Sequence, residues 1–142
     1  MFPCFYAFTM INSDFAIAVH SMLLLAVHQE QLLSSSKLSD MMNVHAVRVR
    51  KVLSQLKDEG FIASKEGVSG GFTLACDPGN VTLRALYELT QRDILKPKCH
   101  DCSCCHIGSN IEKVLDTILI EADGRVQEYL QSFTLKKILD LV

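Results

Sequence analysis

Apolar residues in the first half of the chain recur at steps of three and four, the spacing that one face of an α-helix requires. This pattern predicts three helices, over about 12–29, 38–42 and 45–59. The serine run 34–36 offers N-caps for the second helix, and Gly60 offers a C-terminal cap for the third. The residues predicted to lie on one apolar face are Phe15, Val19, Met22, Leu23 and Ala26 in the first helix, and those predicted to face inward in the third are Val49, Val52, Leu53 and Leu56. Leu38, Met41 and Met42 indicate the short second helix.

A different pattern follows these helices. Two short runs of β-branched and aromatic residues, 61–64 and 72–75, flank a linker that contains Gly67, Gly70 and Gly71. A glycine-rich linker between two such runs predicts a β-hairpin. After a turn, leucines at steps of three predict a short helix over 82–90.

The last part of the chain predicts a loop and then a long helix. Residues 91–108 show no apolar period. The run from Ser109 to Glu112 fits the capping-box pattern, so we expect Ser109 to open a helix that continues to about Ser132. A short apolar tail follows. The apolar stripe of the long helix consists of Ile111, Val114, Leu115, Ile118, Leu119, Ala122, Val126, Tyr129, Leu130 and Phe133.

Helix, helix, turn, helix and hairpin is the element order of a winged helix-turn-helix. The predicted fold is therefore mostly α with a small β-hairpin wing, followed by a long C-terminal dimerisation helix. We assign 10–80 to a DNA-binding domain and 81–142 to a sensor loop and dimerisation helices. Residues 1–9 are aromatic and uncharged and lack the features of a signal peptide, so we interpret them as an extension or upstream start without a fold of its own.

Composition and charge agree with a folded protein that has one basic region. The chain is 49% hydrophobic and 21% charged, which is typical of a globular domain. No apolar run approaches the ~18 residues that span a bilayer, so we expect no membrane association. The formal net charge of −2 is unevenly distributed. Residues 33–66 hold six cations and four anions, whereas 107–142 hold four cations and six anions. We therefore expect the first of these regions to face DNA.

The third helix and the wing hold the residues expected to contact DNA. The start of a recognition helix must present short or hydrogen-bonding side chains to base edges, and cations further along reach phosphates. A solvated helix face would also show such cations, but their place on the third helix of this element order favours DNA. The predicted contacts are Ser36, Asn43, His45, Ala46, Arg48, Arg50, Lys51, Lys65, Ser69 and Gly70.

The loop before the long helix is rich in soft ligands. Four of the six cysteines lie within seven positions, and a histidine follows them. Thiolates and imidazoles suit zinc or an iron–sulfur cluster. The same thiols suit a switch that forms a disulfide or a sulfenic acid. An inert relic of such a site is the third interpretation, and Cys4 and Cys76 are taken as incidental. The candidate metal or redox residues are Cys99, Cys102, Cys104, Cys105 and His106.

Several motifs together resemble those of the winged-helix regulators typified by IscR, NsrR and CymR. They are Leu38-Ser39-Asp40, Val49-Arg50-Lys51-Val52-Leu53 with Leu56, Gly60-Phe61-Ile62, Gly70-Gly71-Phe72 with Leu74, and Val81-Thr82-Leu83. The resemblance extends from about Met10 to Leu139. It implies a homodimer in which the long helices cross and each subunit offers one reading head to a palindromic operator in double-stranded DNA.

The resemblance also implies a role. Members act mostly as repressors, and many sense iron–sulfur status, nitric oxide, oxidants or cysteine metabolism. By position, Cys99 resembles the first cysteine of the cluster-binding members, and Cys104 or Cys105 resembles the last. Cys102 would stand for the middle one. The loop is shorter here and lacks a run of glycines. The dimer contacts expected on the long helix are Ile111, Leu115, Ile118, Leu119 and Val126.

Two other classes of protein fit the sequence less well. An enzyme is disfavoured, because the chain has no phosphate-binding glycine loop and no His-Glu-x-x-His motif. Residues 67–71 have the Gly-x-Ser-x-Gly spacing, but they lie in the linker of the predicted hairpin and not between a strand and a helix, as a nucleophile elbow requires. A metal-binding or protein-interaction module with a vestigial helix-turn-helix has no use for Arg48, Arg50 and Lys51 together. We therefore expect a cytoplasmic, homodimeric regulator that recognises a specific DNA sequence and acts as a repressor.

Overall fold

The computed structural model describes residues 14–90 and 106–142. Within these ranges the chain is mostly helical and contains one antiparallel β-hairpin, which confirms the predicted fold class. The predictions for residues 1–9 and for the four loop cysteines fall outside the described residues. The elements are α1 (Asp14–Val27), α2 (Ser35–Met42), α3 (Ala46–Asp58), β1 (Ile62–Lys65), β2 (Gly71–Leu74), α4 (Leu83–Thr90), α5 (His106–Gln131) and α6 (Leu135–Leu139).

Helix α1 is buried on a broader face than the sequence pattern indicated. Met22 and Ala26 are buried as predicted. Phe15, Val19 and Leu23 are only partly buried and pack against the edge of the core. The fully covered side also contains other residues of the helix. Because α1 is apolar on most of its surface, steps of three and four fit more than one face, and packing selects among them. The residues of α1 that the core buries are Ile17, Ala18, Ser21, Met22, Leu25 and Ala26.

Local capping sets the limits of α2. The hydroxyl of Ser34 accepts a hydrogen bond from the backbone N–H of Lys37 at 3.1 Å and caps the helix start. Asn43 ends the helix in the left-handed region, at φ 52°, which asparagine tolerates better than most residues. Leu38 and Met42 are buried, whereas Met41 is 42% exposed because the buried side of this short helix turns away from it.

Helix α3 agrees with the sequence pattern. Its four predicted core residues are all fully buried. Gly60 follows the helix at φ 79°, a conformation that side chains with a Cβ rarely adopt, and the chain turns there into β1.

The hairpin pairs Ile62 with Leu74 and Lys65 with Gly71. Its second strand also pairs with Leu33: the two backbone N–H···O bonds between Leu33 and Phe72 measure 3.1 and 2.9 Å. A Cβ on Gly71 would lie 2.8 Å from the carbonyl carbon and oxygen of Leu33. Glycine is therefore required at position 71 by the close approach of two backbones.

Helix α5 begins one turn earlier than predicted, so the expected capping role of Ser109 is wrong. The helix starts at His106, and Ile107 extends the apolar spacing of Ile111 by one turn. A capping-box pattern is a local signal that also occurs inside helices when the apolar stripe continues past it. The helix runs unbroken through Gly124 to Gln131, a length of about 39 Å at ~1.5 Å per residue.

The end of the chain returns to the first helices. The backbone N–H of Leu135 donates to the carbonyl of Val81 at 2.9 Å, and that of Leu83 donates to Phe133 at 2.8 Å. Leu135 is fully buried, so both ends of the 81–142 segment contribute to one core. That core consists of Ile17, Ala18, Met22, Leu25, Leu33, Leu38, Met42, Val44, Val49, Val52, Leu53, Leu56, Ile62, Val81, Leu86 and Leu135.

Candidate nucleic-acid interface

One side of α3 is buried and the other faces solvent. Val49, Val52 and Leu56 lie on the buried side and hold the helix against the core. On the other side, Val47, Arg50, Lys51 and Ser54 are exposed. A helix that is packed firmly on one side and open on the other has the shape needed to enter a major groove.

The start of α3 is capped by a histidine. The ring Nδ1 of His45 accepts a hydrogen bond from the backbone N–H of Val47 at 3.3 Å. Nδ1 therefore carries no proton in this geometry, and the neutral ring keeps its proton on Nε2, where it can donate. Asn43 and His45 are both exposed, whereas Ala46 is half-buried. These three predicted contact residues thus lie together at the turn and helix start.

Two predicted cations of α3 share a single carboxylate. The Arg48 guanidinium donates to Oδ1 of Asp14, and the Lys51 ammonium donates to Oδ2, each at 2.9 Å. Asp14 lies in the first turn of α1, and its side chain is only 20% exposed. Burial by itself raises the pKa of Asp14, but the hydrogen bonds and charges of Lys51 and Arg48 outweigh it and hold that pKa below its ordinary value.

Arg50 differs from these two cations. It is exposed, and no ion pair or side-chain hydrogen bond with another residue of 14–90 or 106–142 engages it. As far as the described residues go, the charge of Arg50 and its donors are available to a partner. Arg48 and Lys51 with Asp14 contribute a net charge of +1 beside it.

Sequence reasoning missed Val47. This valine is 62% exposed on the solvent side of α3, between the helix start and Arg50. An exposed aliphatic side chain in a reading helix suits contact with the C5-methyl group of thymine. A helical projection anchored on the buried side of α3 would have identified it, because Val47 lies opposite that side.

The wing places its predicted residues at the loop end of the hairpin. Lys65 and Ser69 are exposed, and Gly70 donates its backbone N–H to the carbonyl of Gly67 at 3.0 Å in a tight turn. A Cβ on Gly70 would collide with the carbonyl oxygen of Lys65. Val68 forms the fully exposed tip. Ser36, the remaining predicted contact, is exposed in the first turn of α2.

Helix α5 carries an exposed apolar strip formed by Ile107, Ile111, Val114, Ile118 and Tyr129. Their spacing keeps them on one side of the helix. Among the predicted dimer contacts, Ile111, Ile118 and Val126 are exposed, whereas Leu115 and Leu119 are partly buried.

The predicted metal and redox residues lie almost entirely outside the described part of the chain. Of His106, only its backbone position at the start of α5 is described. Within the described ranges, no group of three or more histidine, cysteine or acidic side chains is arranged to hold a metal ion. Cys76 is half-buried, its thiol donates to the carbonyl of Phe61 at 3.3 Å, and burial together with the charge of Asp77 raises its pKa. Its surroundings are those of a packed residue.

A helix-turn-helix, an open cationic face on its last helix and a hairpin with a glycine-rich loop define a winged-helix DNA-binding protein. Comparison with known proteins identifies the family. The Rrf2 family model, described as an iron-dependent transcriptional regulator, matches residues 11–141. The chain therefore belongs to the Rrf2 family.

Individual relatives agree with this assignment. The HTH-type transcriptional regulator YwnA of Bacillus subtilis (strain 168) is 29% identical over 133 residues, which cover 92% of this chain and 98% of YwnA. The HTH-type transcriptional regulator IscR of Serratia proteamaculans (strain 568) is 23% identical over 131 residues, covering 92% and 79%. A crystal structure assigned to a transcriptional regulator of Lactobacillus plantarum superposes with a TM-score of 0.76 at 27% identity, covering 88% of this chain and 86% of that one.

The chain is thus a transcriptional regulator of a DNA-binding family and not an enzyme, which confirms two predictions made from the sequence. The resemblance to IscR-type regulators is also confirmed. In the described part of the chain, no helix combines the length and apolarity that crossing a membrane requires.

Proposed function

We propose that this chain is a homodimeric repressor that binds a palindromic operator through α3 and the wing, and that its cysteine loop (99–106) adjusts operator binding. The observation that carries the proposal is the open face of α3, where Arg50 is exposed beside Val47 and forms no ion pair with another residue of 14–90 or 106–142. A transcription factor of this kind acts in the bacterial cytoplasm, where the DNA is.

The side chains of this face have different roles in binding DNA. Arg50 reads a guanine through paired donors, and Val47 packs on a thymine methyl group. Asn43 and His45 offer further donors at the helix start. Lys65 and Ser69 on the wing bind the phosphate backbone, which fixes the position of the protein on the duplex.

The exposed apolar strip of α5 supports a homodimer. Ile111, Val114 and Ile118 would be covered by the same strip of a second copy, in an arrangement in which one patch meets itself. Such a dimer presents two copies of α3, and a palindrome with half-sites about 34 Å apart would satisfy both.

The cysteine loop supplies the proposed signal. Thiolates from Cys99, Cys102 and Cys104 or Cys105 suit an iron–sulfur cluster or zinc, and the same thiols suit reversible oxidation. The family description names iron, which favours a metal-dependent signal. Because residues 91–105 connect α4 to α5 along the chain, a change in the state of their cysteines would alter how α5 is joined to the DNA-binding part of the protein.

Selection from a random duplex library tests the central proposal. The wild-type protein should enrich one inverted-repeat sequence, which is then used in gel-shift titrations. Arg50→Ala should weaken binding by about 1–3 kcal/mol, or roughly 5- to 150-fold, and relax the preference at one position of each half-site. Arg125→Ala is the matched control, since Arg125 is an exposed arginine on α5 that pairs with Glu121 at 2.7 Å. Absence of any enriched sequence would overturn the proposal.

The state of the cysteine loop is tested separately. Protein purified without air is examined for visible absorption and for iron, sulfide and zinc, and operator affinity is measured before and after treatment with a chelator or peroxide. A change in operator affinity that Cys99→Ser abolishes supports a sensing loop. Equal affinity in every state shows that the loop does not sense.

A further inference from the structure

Asp14 links the first helix, α1, to α3, the helix proposed to read the DNA bases (the reading helix). Each of its two carboxylate oxygens binds one cation of α3, Arg48 through Oδ1 and Lys51 through Oδ2, each at 2.9 Å. Asp14 is distant in sequence from both, by 34 and 37 positions. The two cations remain 43% and 63% exposed, so a phosphate can still approach them from the solvent side.

Ion pairs at this degree of exposure contribute little to the stability of a fold. Their influence on DNA binding is larger, because affinity for phosphate depends on how many cations are free to displace counterions. A carboxylate that already holds two cations competes with phosphate for both.

We propose that Asp14 is a positioning residue that withholds one positive charge of α3 from the DNA backbone. The proposal rests on the DNA-binding function proposed above. In the free protein Asp14 keeps Arg48 and Lys51 turned toward α1, and phosphate must compete with it to engage them. Arg50, which has no such partner among the described residues, is left as the freely available cation. Asp14 thereby limits the attraction to DNA that does not depend on sequence.

The test compares Asp14→Asn with wild type on a random-sequence duplex across a range of salt concentrations. The expected result is a log–log salt slope steeper by about 0.9 for each reading helix bound, with affinity near 0.1 M salt raised roughly eightfold per helix if both proteins bind equally at 1 M. Asp58→Asn is the matched control. It removes one negative charge from the exposed end of α3 itself, where Asp58 forms no described ion pair with Arg48 or Lys51.

A second background isolates the mechanism. In protein carrying Arg48→Gln and Lys51→Gln, Asp14→Asn should no longer change the slope. If Asp14→Asn fails to fold, Asp14→Ser, with a side chain well suited to a helix start, takes its place. The inference is overturned if the slope is unchanged, if Asp58→Asn has an equal effect, or if the effect persists without the two cations. If the wild-type protein binds no duplex at all, the proposed function is overturned. This result comes from the wild-type measurement alone and does not depend on any variant.

Discussion

The hydroxyl of Tyr87 donates a hydrogen bond to Oδ1 of Asp123 at 2.7 Å, and this bond joins α4 to the long helix α5. The second carboxylate oxygen of Asp123 accepts from the amide of Gln127 at 2.6 Å. The ring of Phe15, on α1, packs edge-on against Tyr87 with ring centroids 5.8 Å apart. Tyr87 thus connects the helix-turn-helix to α5 through one apolar and one polar contact.

Removing the Tyr87 hydroxyl should weaken this connection. We expect Tyr87→Phe to lower the free energy of unfolding by about 1–2 kcal/mol, because it leaves a partly buried carboxylate without one of its donors. Urea denaturation measures the change. Ser69→Ala is the control, since it removes an exposed hydroxyl on the wing, and the change should be within ~0.5 kcal/mol. Equal effects of the two substitutions would contradict the role of the Tyr87 hydroxyl.

The same bond predicts a change of stability at alkaline pH. Burial, together with the hydrogen bond to Asp123 and the charge of Asp123, raises the pKa of Tyr87 from 10.0 to about 12. A raised pKa means that the fold favours the neutral phenol, so its contribution is complete below pH 10 and is lost as the pH rises toward about 12. The difference in unfolding free energy between wild type and Tyr87→Phe should shrink over that interval. If the difference between the two proteins did not change with pH over this interval, the proposed contribution of the neutral Tyr87 phenol would be contradicted.

Asp14 should make stability sensitive to acid. Because Lys51 and Arg48 hold its pKa below 3.8, the fold favours the carboxylate, and the stabilisation is present above pH 3.8 and lost as the pH falls through the lowered value. We expect Asp14→Asn to cost up to about 1 kcal/mol at neutral pH and almost nothing in strong acid. Thermal melting of both proteins from neutral to acidic pH checks this. If the difference in stability between wild type and Asp14→Asn grew as the pH fell, the predicted direction of the pH dependence would be contradicted.

Two glycines should respond in opposite directions to alanine. At Gly71, a Cβ would lie 2.8 Å from backbone atoms of Leu33, and we expect a loss of about 1–3 kcal/mol with loosening of the wing. At Gly124, in the middle of α5, a Cβ would meet nothing within 4 Å, and the better helix propensity of alanine should stabilise the chain by up to about 1 kcal/mol. Melting temperatures of the two variants compare them directly, and a stabilised Gly71→Ala would refute the close approach.

Val47 should influence sequence preference without influencing phosphate binding. Once an operator is known, Val47→Ala should weaken binding to that operator by about 1 kcal/mol, or roughly fivefold. The dependence of binding on salt concentration should stay unchanged. Replacing each thymine by deoxyuridine should weaken wild type at one position per half-site and leave Val47→Ala unaffected there. Val27→Ala, a valine 66% exposed at the end of α1, is the control. A loss at that thymine that is the same in both proteins would exclude the contact.

The exposed apolar strip of α5 should determine whether the protein dimerises. Ile118→Glu places a charge in the proposed interface, where burial without a partner is costly, so we expect a monomer by sedimentation. Ile120→Glu is closely matched, since Ile120 is 73% exposed but lies on another side of the same helix, and it should remain a dimer. Dimers from both variants would show that this strip is not the interface.

Much of the fold follows from local signals. The four buried residues of α3 obey the helical period, and Gly60 ends the helix at φ 79° because glycine adopts that backbone at little cost. The hairpin follows from two short runs around a glycine-rich linker. The expectation for α1 was less accurate, because a helix that is apolar on most sides offers no single preferred face.

The sequence by itself therefore determined the order of the elements, the buried side of α3 and the cations that lie on it, since each depends on residues within a few turns of one another. Only the tertiary structure decided that Arg48 and Lys51 share Asp14 and that Val47 is exposed near the start of α3. It also decided that Leu135 packs into the same core as the first helices. These features arise where helices far apart in sequence pack together. The angle and register of such packing depend on all the side chains in the interface, which no period along a single helix records.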